Sequence, residues 1–338
     1  MSRRSKLLGA TGSLAVALCV WLGWHLVQQQ SQRQPFHIAF NEWVGFGPFF
    51  LARDLGFFGE LPVEFHFIAV EGDKRAGLYA GRFHMICETT DMFQTNRDSQ
   101  NFPGNIVFAI DESHGGDGVV ASDKVTSLRD LRGKTVVAEP GQPAHFVLQY
   151  LLSKEGMTLK DLAIQQMNSP DAAAAFIAGK ADAAGTYEPY LSRALEKRPG
   201  SHLLASSKDL PGLIVDVAVV KEEALVQRRQ DVHTIFGGWC KAVAYFKQHR
   251  TEAISTMAKA FKLSAREFED TIQGLRYLDC ATNRDYFGSG PSQGPLFSIF
   301  NQINKILLDN GLTSVVISAD SRIDRSVVAA VSSKEARP

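Results

Sequence analysis

The chain has 338 residues, of which 45% are apolar and 21% are charged, and its formal net charge is zero. A chain of this length and composition can bury a globular core and favours about two domains. The balanced charge argues against a nucleic-acid-binding protein, which would carry a basic excess or a basic patch.

The N-terminus has the pattern of an export signal. Arg3, Arg4 and Lys6 precede an apolar run over residues 7–27, as in a secretory signal. The run approaches the ~20 residues that cross a bilayer, so it is either an uncleaved membrane anchor or a cleaved signal peptide. Because basic flanks stay in the cytoplasm, the body of the chain is expected to be periplasmic or otherwise extracytoplasmic, and an uncleaved run would hold it at the inner membrane.

Cysteine usage agrees only weakly with export. Cys87, Cys240 and Cys280 are scattered, and no CxxC pair is present. At most one internal disulfide can form from these three. Buried thiols are the favoured interpretation over a bridge or a metal site, and pairing of Cys240 with Cys280 is left open.

Strand and helix patterns alternate along the first two thirds of the chain, which predicts an α/β fold with helices on both faces of a parallel sheet. Before residue 115, strands are expected at 36–40, 63–70, 83–88 and 106–110, and helices at 49–55, at 74–80 and after the capping residues 89–91. The pattern restarts after residue 122, with a helix at 172–178 capped by Asp171, and an apolar β-branched run at 214–220 returns to the first unit.

One α/β unit is therefore interrupted by a second. The expected segments are 1–34 (signal or anchor plus linker), 35–115 (lobe 1, first part), 116–215 (lobe 2), 216–315 (lobe 1, second part, mostly helical) and 316–338 (polar C-terminal tail). The chain would cross between the lobes twice, near 111–120 and near 214–220. Two crossings form a hinge, and the cleft between two lobes is a usual place for a small ligand.

Ligands of parallel sheets bind beyond the carboxyl ends of the strands, so the loops that directly follow strands are the candidate binding loops. The loops that follow strands are Asn41–Phe46, Thr89–Asp91, Asp111–Gly118, Pro140–His145 and Thr186–Glu188. Each also has a purely structural interpretation: Trp43 can be a core aromatic, Thr90 part of a helix cap, and His145 a packed helix residue. Glu188, held between Tyr187 and Pro189, is either a ligand acceptor for an amino group or a solvated acid.

The sequence has no nucleophile elbow, phosphate-binding loop, HExxH motif or paired Cys/His ligands. It therefore predicts neither an enzyme nor a bound cofactor or metal.

Several stretches, taken in order, resemble the periplasmic substrate-binding proteins of the nitrate/sulfonate/taurine ABC importers, a group that includes pyrimidine-precursor binders. The resemblance covers about residues 36–311. Its carriers are "NEWVGFGPFFLARDLGFF", "DESHGGDGVVA", "SLRDLRGKTVVAEPG", "PDAAAAFIAGKADAAGTYEPY" and "YFGSGPSQGPLF". It implies a two-lobed periplasmic-binding-protein fold of type II with two hinge crossings, and a solute delivered to a membrane permease with its ATPase.

The positions that match the family's pocket loops are Asn41, Trp43, Gly45, Thr90, Asp117, His145, Tyr187, Glu188 and Asp216. These loops carry acids and no obvious Arg or Lys, although a nitrate or sulfonate needs positive charge or many donors. An amine, amidine or ring nitrogen suits Glu188 and Asp117 better, with Trp43 as a stacking surface. A membrane-anchored ligand sensor, or an enzyme that makes a pyrimidine or menaquinone precursor, is the alternative function.

Overall fold

The computed structural model describes residues 34–95 and 102–331. The expected signal or anchor at 7–27 lies outside these residues. Within the described ranges, none of the helices has the length and apolar character needed to cross a bilayer.

The strands of the described residues form two sheets. They are β1 (Phe36–Phe40), β2 (Val63–Phe67), β3 (Met85–Thr89), β4 (Gly104–Ser113), β5 (Asp117–Ala121), β6 (Thr135–Ala138), β7 (Ala163–Gln166), β8 (Ala183–Tyr187), β9 (His202–Ser206), β10 (Val215–Lys221) and β11 (Leu275–Tyr277). Sheet A has the order β11-β4-β10-β3-β1-β2 and sheet B the order β7-β6-β8-β5-β9. We call the unit around sheet A lobe 1 and the unit around sheet B lobe 2.

The sheets are mixed, although the sequence pattern predicted parallel ones. β1 pairs in parallel with β2 and β3, but β10 runs antiparallel between β3 and β4. In sheet B, β6 pairs in parallel with β7 and β8, and β5 is antiparallel to β8 and β9. The reversed strands β5 and β10 are those that enter a lobe directly from the other lobe, so no crossover helix turns them round.

Helices cover both sheets. They are α1 (Gly47–Asp54), α2 (Glu71–Tyr79), α3 (Thr90–Thr95), α4 (Pro143–Lys154), α5 (Ser169–Ile177), α6 (Tyr190–Lys197), α7 (Glu222–Gln227), α8 (Arg229–Gln248), α9 (Arg250–Ala260), α10 (Ala265–Thr271), α11 (Cys280–Phe287), α12 (Pro295–Asp309), α13 (Ala319–Arg322) and α14 (Ser326–Ala330). Short 3-10 turns lie at Val44–Phe46, Leu128–Leu131, Leu159–Asp161, Ser207–Asp209 and Ile272–Gly274. The cap of α5 is Asn168, whose side chain accepts from the Asp171 N–H, and not Asp171 as expected.

The two strand crossings of the expected hinge are present and lie side by side. β4 leads into β5 and β9 leads into β10. The Ser113 and Ser207 hydroxyls are 2.9 Å apart, and the Gly115 N–H donates to Ser207 Oγ at 2.6 Å. A third connection was not anticipated: α12 buries Phe297 in the lobe 1 core and Ile306 in the lobe 2 core.

The cores of the lobes differ in composition. Lobe 1 is built on aromatic side chains in mutual contact, among them the fully buried Phe40, Phe49, Phe108 and Trp239. Fully burying one such side chain contributes about 1.5–3 kcal/mol. The core on one face of sheet B is instead mostly alanine, which lets α5 lie close to β8.

Two expectations about lobe 1 were wrong. Cys240 and Cys280 are joined in a disulfide with a Cα–Cα distance of 5.2 Å, so the buried-thiol interpretation holds only for Cys87. The polar tail expected at 316–338 is instead packed as far as residue 331. Within it, Ile323 and Val327 are buried in the lobe 1 core, because these scattered apolar residues cover the sheet edge beside β4.

Candidate functional site

A narrow cleft lies between the lobes, at the carboxyl ends of β1, β3 and β8. Its cavity is about 10 Å³, with room for about one water. The residues that line it are Asn41, Trp43, Phe46, Cys87, Glu88, Thr89, Met92, Asp117, Gln142, Pro143, Tyr187 and Asp216. A wider space of about 230 Å³, lined by residues of both lobes, lies beside Glu88 and Met92. The lobes are therefore in close contact around the narrow cavity, which is too small for a solute.

The cleft lining contains five of the residues singled out from the sequence, namely Asn41, Trp43, Asp117, Tyr187 and Asp216. Gly45, Thr90, His145 and Glu188 do not line it. Other lining residues, such as Thr89 and Gln142, lie in loops that the sequence pointed to but were not singled out. Phe46 also ends one of these loops, where its favoured interpretation was a core aromatic, whereas Met92 lies outside the loops and gave no signal of its own.

Trp43 is held by lobe 1 and presents an edge to lobe 2. Its Nε1–H donates to the Asp111 carboxylate at 3.1 and 3.3 Å, and its backbone N–H donates to Asn41 Oδ1 at 3.0 Å. The Tyr187 ring of lobe 2 meets it edge-on, with ring centroids 6.1 Å apart. Gly45 makes room for this arrangement, since a Cβ there would lie 2.0 Å from Asp111 Oδ2 and 2.2 Å from Trp43 Nε1.

Four aspartates lie buried around the cleft. In sheet A, Asp216 of β10 pairs with Asp111 of β4 on one side and with Thr89 of β3 on the other. Asp117 begins β5 opposite Tyr187, and Asp91 lies in the first turn of α3. The antiparallel direction of β5 and β10 brings the start of these strands to the edge where their parallel neighbours end.

The four carboxyls have raised pKa values because they are removed from water and lie near other acids, which for Asp117 is Glu188. Burial is the main cause, and it raises the pKa of Asp91 and of Asp117 to about 7. Burial also raises the pKa of Asp111 and of Asp216; Asp117 adds to the effect on both, and the Trp43 hydrogen bond opposes it at Asp111. A cation in the cleft would relieve this repulsion.

Two buried cations of α2 lie beside the cleft, and sequence reasoning missed them. Lys74 Nζ donates to the Cys87 carbonyl at 2.6 Å and pairs with Glu71 at 2.6 Å. Arg75 makes two bonds to the Glu88 carboxylate, at 2.7 and 2.8 Å. Each cation is thus neutralised by its own acid. In the sequence, Lys74 and Arg75 follow Glu71 by three and four residues, a spacing typical of a solvated helix face, so nothing marked them as buried.

Glu188 does not line the cleft cavity, although its charge helps to raise the pKa of the lining Asp117. The Glu188 carboxylate accepts from the Ser192 N–H at 3.2 Å and from the Ser192 hydroxyl at 2.7 Å, which caps the first turn of α6. Burial raises its pKa, and the Ser192 bonds oppose that rise. The expectation that Glu188 receives an amino group stays a prediction, because Ser192 already takes up part of its hydrogen-bonding capacity. The acids that line the cavity itself are Asp117, Asp216 and the Arg75-paired Glu88.

The remaining predicted positions have structural surroundings. His145 is buried in α4, and desolvation lowers its pKa to about 4, so it is neutral. Thr90 begins α3, and its hydroxyl has no hydrogen-bond partner among the described residues. Cys87 lines the cleft as a thiol, because burial raises its pKa well above the usual value.

Contacts across the cleft connect the two lobes. The Tyr190 hydroxyl of α6 donates to the Glu42 carboxylate of lobe 1. Burial raises the pKa of the Tyr187 hydroxyl, and the nearby Glu71 and Glu139 raise it further. The acids in and around the cleft outnumber its cations, so this surface is suited to a solute that donates hydrogen bonds or carries positive charge.

Comparison with known proteins agrees with this architecture. Residues 43–253 match the family described as NMT1/THI5 like. A candidate binding protein of Brucella abortus (strain 2308) is 31% identical over 103 residues, 30% of this chain and 32% of that protein. A candidate aliphatic sulfonates-binding protein of Escherichia coli (strain K12) is 26% identical over 152 residues, 44% of this chain and 46% of that protein. The chain therefore spans about a third to just under a half of the length of these relatives.

Solved structures confirm the two-lobed fold predicted from the sequence. The alkanesulfonate-binding protein SsuA from Xanthomonas axonopodis pv. citri, bound to MOPS, superposes with a TM-score of 0.71 over 86% of this chain and 98% of that chain, at 16% identity. The desulfurization enzyme DSZB shares the fold at a TM-score of 0.59 and 13% identity. Both binding proteins and an enzyme have this fold, so the function has to be inferred from the residues of the cleft.

Proposed function

Because this chain belongs to the NMT1/THI5-like family, we propose that it is the solute-binding component of an ABC importer. The observation that carries the proposal is the closed cleft, which both lobes line and which adjoins two tied strand crossings. The likeness to binding proteins, including one named for aliphatic sulfonates, supports the same function.

The mechanism is capture by closure. With the lobes apart, the solute binds to the ends of β1, β3 and β10, and Asp117 and Tyr187 of lobe 2 then cover it. The solute shifts the population from open to closed because only the closed form contacts it from both sides. The closed form is then presented to a permease and its ATPase, outside the cytoplasm.

The solute we propose carries a protonated nitrogen, as in an amine, an amidine or a ring base. Asp216 and Asp117 both line the cleft, and no unpaired Lys or Arg lies among its lining residues. One hydrogen bond between charged groups contributes about 1.5–3 kcal/mol. A zwitterionic aminosulfonate such as taurine also meets this requirement through its ammonium group, whereas nitrate does not.

Catalysis has little support in this cleft. Cys87 is the thiol in the cleft lining, and burial raises its pKa, which disfavours the reactive thiolate. His145, the histidine among the predicted positions, does not line the cavity.

A ligand screen tests the proposal. The full-length protein is melted with taurine, alkanesulfonates, nitrate, benzamidine, urea and aminopyrimidines, and each hit is followed by calorimetry. We expect a nitrogen-bearing cation or zwitterion to raise the melting temperature with concentration. Stabilisation by nitrate or a plain alkanesulfonate alone would contradict the proposed ligand class, and turnover of any compound would contradict a pure binding role.

Small-angle scattering then tests closure, and reconstitution tests delivery. A saturating hit should make the protein more compact, and the loaded protein should stimulate the ATPase of a permease encoded beside it. Compaction without any ATPase response, together with binding to a membrane kinase or cyclase, would favour the sensor.

A further inference from the structure

Three potential metal ligands converge on sheet A, at the other end of β1 from the cleft. The donor atoms of His37, Glu64 and His66 all lie within 4.8 Å of one another. His37 is the second residue of β1, whereas Asn41 follows its last residue. Four residues of strand separate them by about 13 Å, so this group belongs to a different part of the surface.

The strand register creates the cluster. β1 and β2 pair in parallel, with His37 opposite Glu64 and Ala39 opposite His66. Residues two apart on a strand point to the same face, so all three side chains lie on one face of the two neighbouring strands. The sequence gave no sign of this, because the residues are 27 and 29 positions apart and lack the close spacing of a usual zinc motif.

The distances suit a transition-metal ion. His37 Nδ1 lies 3.0 Å from His66 Nε2 and 3.4 Å from Glu64 Oε2. Ligands at about 2.0–2.1 Å from a tetrahedral zinc ion are roughly 3.4 Å apart. Two imidazole nitrogens and one carboxylate are a ligand set that zinc, nickel and copper accept.

The neighbourhood holds the histidines in place and leaves an approach open. The His37 backbone N–H donates to His84 Nδ1 at 3.0 Å, and the two rings stack with centroids 5.5 Å apart. The His66 ring packs against Phe83. The Glu64 side chain is 54% exposed, so it can turn toward an ion that enters from solvent.

We propose that His37 Nδ1, His66 Nε2 and the Glu64 carboxylate bind one divalent ion of the zinc type, with water completing the coordination. Such an ion would join β2, the edge strand of sheet A, to β1 and would stabilise lobe 1 without entering the solute cleft. The other explanation of the 3.0 Å contact is a hydrogen bond between the two imidazoles.

The test is metal binding by untagged, full-length protein that has been stripped with a chelator. Zinc is titrated in competition with a chromophoric chelator, and cobalt absorption reports the coordination. We expect about one zinc per chain, and at least a tenfold loss of affinity in His66→Gln and in His37→Gln. Glu64→Gln should also weaken binding, and because Glu64 is exposed it should leave the fold intact.

The matched control is His202→Gln, a histidine of β9 in lobe 2. It removes one imidazole and should leave zinc affinity unchanged. Stoichiometry below about one fifth of an equivalent, or equal affinity in His66→Gln, Glu64→Gln and the wild type, would overturn the metal site and leave a histidine–histidine hydrogen bond. Circular dichroism of each metal-free variant confirms that folding is not the cause of a loss.

Discussion

The two lobes differ in their cores and in the residues that they contribute to the shared cleft. Lobe 1 has the aromatic core, the disulfide and the buried acids Asp91, Asp111 and Asp216. Lobe 2 has an alanine-rich core on one face of its sheet and contributes Asp117, Gln142, Pro143 and Tyr187 to the lining. Lobe 1 is thus built to hold a fixed set of polar groups, and lobe 2 to cover them.

This difference between the lobes indicates which contacts are fixed within one lobe and which ones must break when the lobes separate. The Trp43–Asp111 hydrogen bond and the pairing of Asp216 with Asp111 lie wholly within lobe 1, so opening need not disturb them. The contacts that opening must break lie across the cleft and include the Tyr190–Glu42 hydrogen bond and the Trp43–Tyr187 ring contact.

The largest expected effect is the loss of stability on removing the disulfide, which lies wholly within lobe 1. It joins α8 to the start of α11 across 40 residues, so replacing both Cys240 and Cys280 by Ala should lower the free energy of unfolding by about 2–4 kcal/mol. Calorimetry should show the transition of lobe 1 shifting to lower temperature. If the whole molecule instead melts in one transition that shifts to lower temperature, the bridging helix α12 couples the two lobes. The lobes would then not differ in stability as separate units.

Substitution of a cleft acid should change ligand affinity and protein stability in opposite directions. Asp216→Asn should weaken the best cationic ligand of the screen by about 1.5–3 kcal/mol, since a charged hydrogen-bond partner is lost. The same change should stabilise the ligand-free protein, because Asp216 is repelled by Asp111 and Asp117. Titration calorimetry and melting measure the two effects.

The matched control for that substitution is Glu188→Gln, since Glu188 bonds Ser192 and not the cleft. Its ligand affinity should stay within about twofold of the wild type, with a small loss of stability from the weaker cap. Equal losses of affinity in both variants would return Glu188 to the ligand site and make lobe 2 an equal partner in recognition.

Gly45 tests the rigidity of lobe 1. Gly45→Ala places a Cβ against Asp111 and Trp43, and overpacking of this kind costs about 1–3 kcal/mol. Gly237→Ala in α8, where the added methyl has open space, should be neutral or stabilise by up to about 1 kcal/mol. Denaturant melts compare the two, and an unperturbed Gly45→Ala would show that the Trp43 region adapts.

The smallest effect is the dependence of stability on pH. Asp91 and Asp117 have a pKa near 7 in the folded protein, against 3.8 as the reference value, so the folded protein holds more protons between these values. These two groups should therefore lower the free energy of unfolding by about 1–2 kcal/mol together as the pH rises from 6.5 to 8.5. Asp111, whose pKa burial raises to about 8, adds to the fall in the same range. Below pH 6.5 the buried His145, whose pKa is lowered, opposes the trend.

Ligand affinity should change in the opposite direction. A cation binds the ionised carboxyls, so its affinity should rise over the same pH range with release of protons, measurable in buffers of different ionisation enthalpy. A flat profile for both stability and affinity would mean that the aspartates are ionised throughout, and that the acids of lobe 1 do not repel as their burial suggests.

The sequence by itself determined the alternation of strands and helices, the two crossings between lobes and five of the residues that line the cleft. These features are carried by local patterns, namely periodicity, turn residues and polar strand ends, which remain visible in one dimension. The partners of Asp111 and Asp216 were not visible, because β4 and β10 meet only through sheet pairing over about a hundred residues.

Only the tertiary structure decided which polar groups are buried and what they face. It directed Glu188 to Ser192, buried Lys74 beside the cleft, paired Cys240 with Cys280, and brought His37 to His66. Burial, register and side-chain direction depend on contacts between distant segments, and a residue type alone does not reveal them. For that reason the fold could be predicted from the sequence to a large extent, and the chemistry of its cleft only in part.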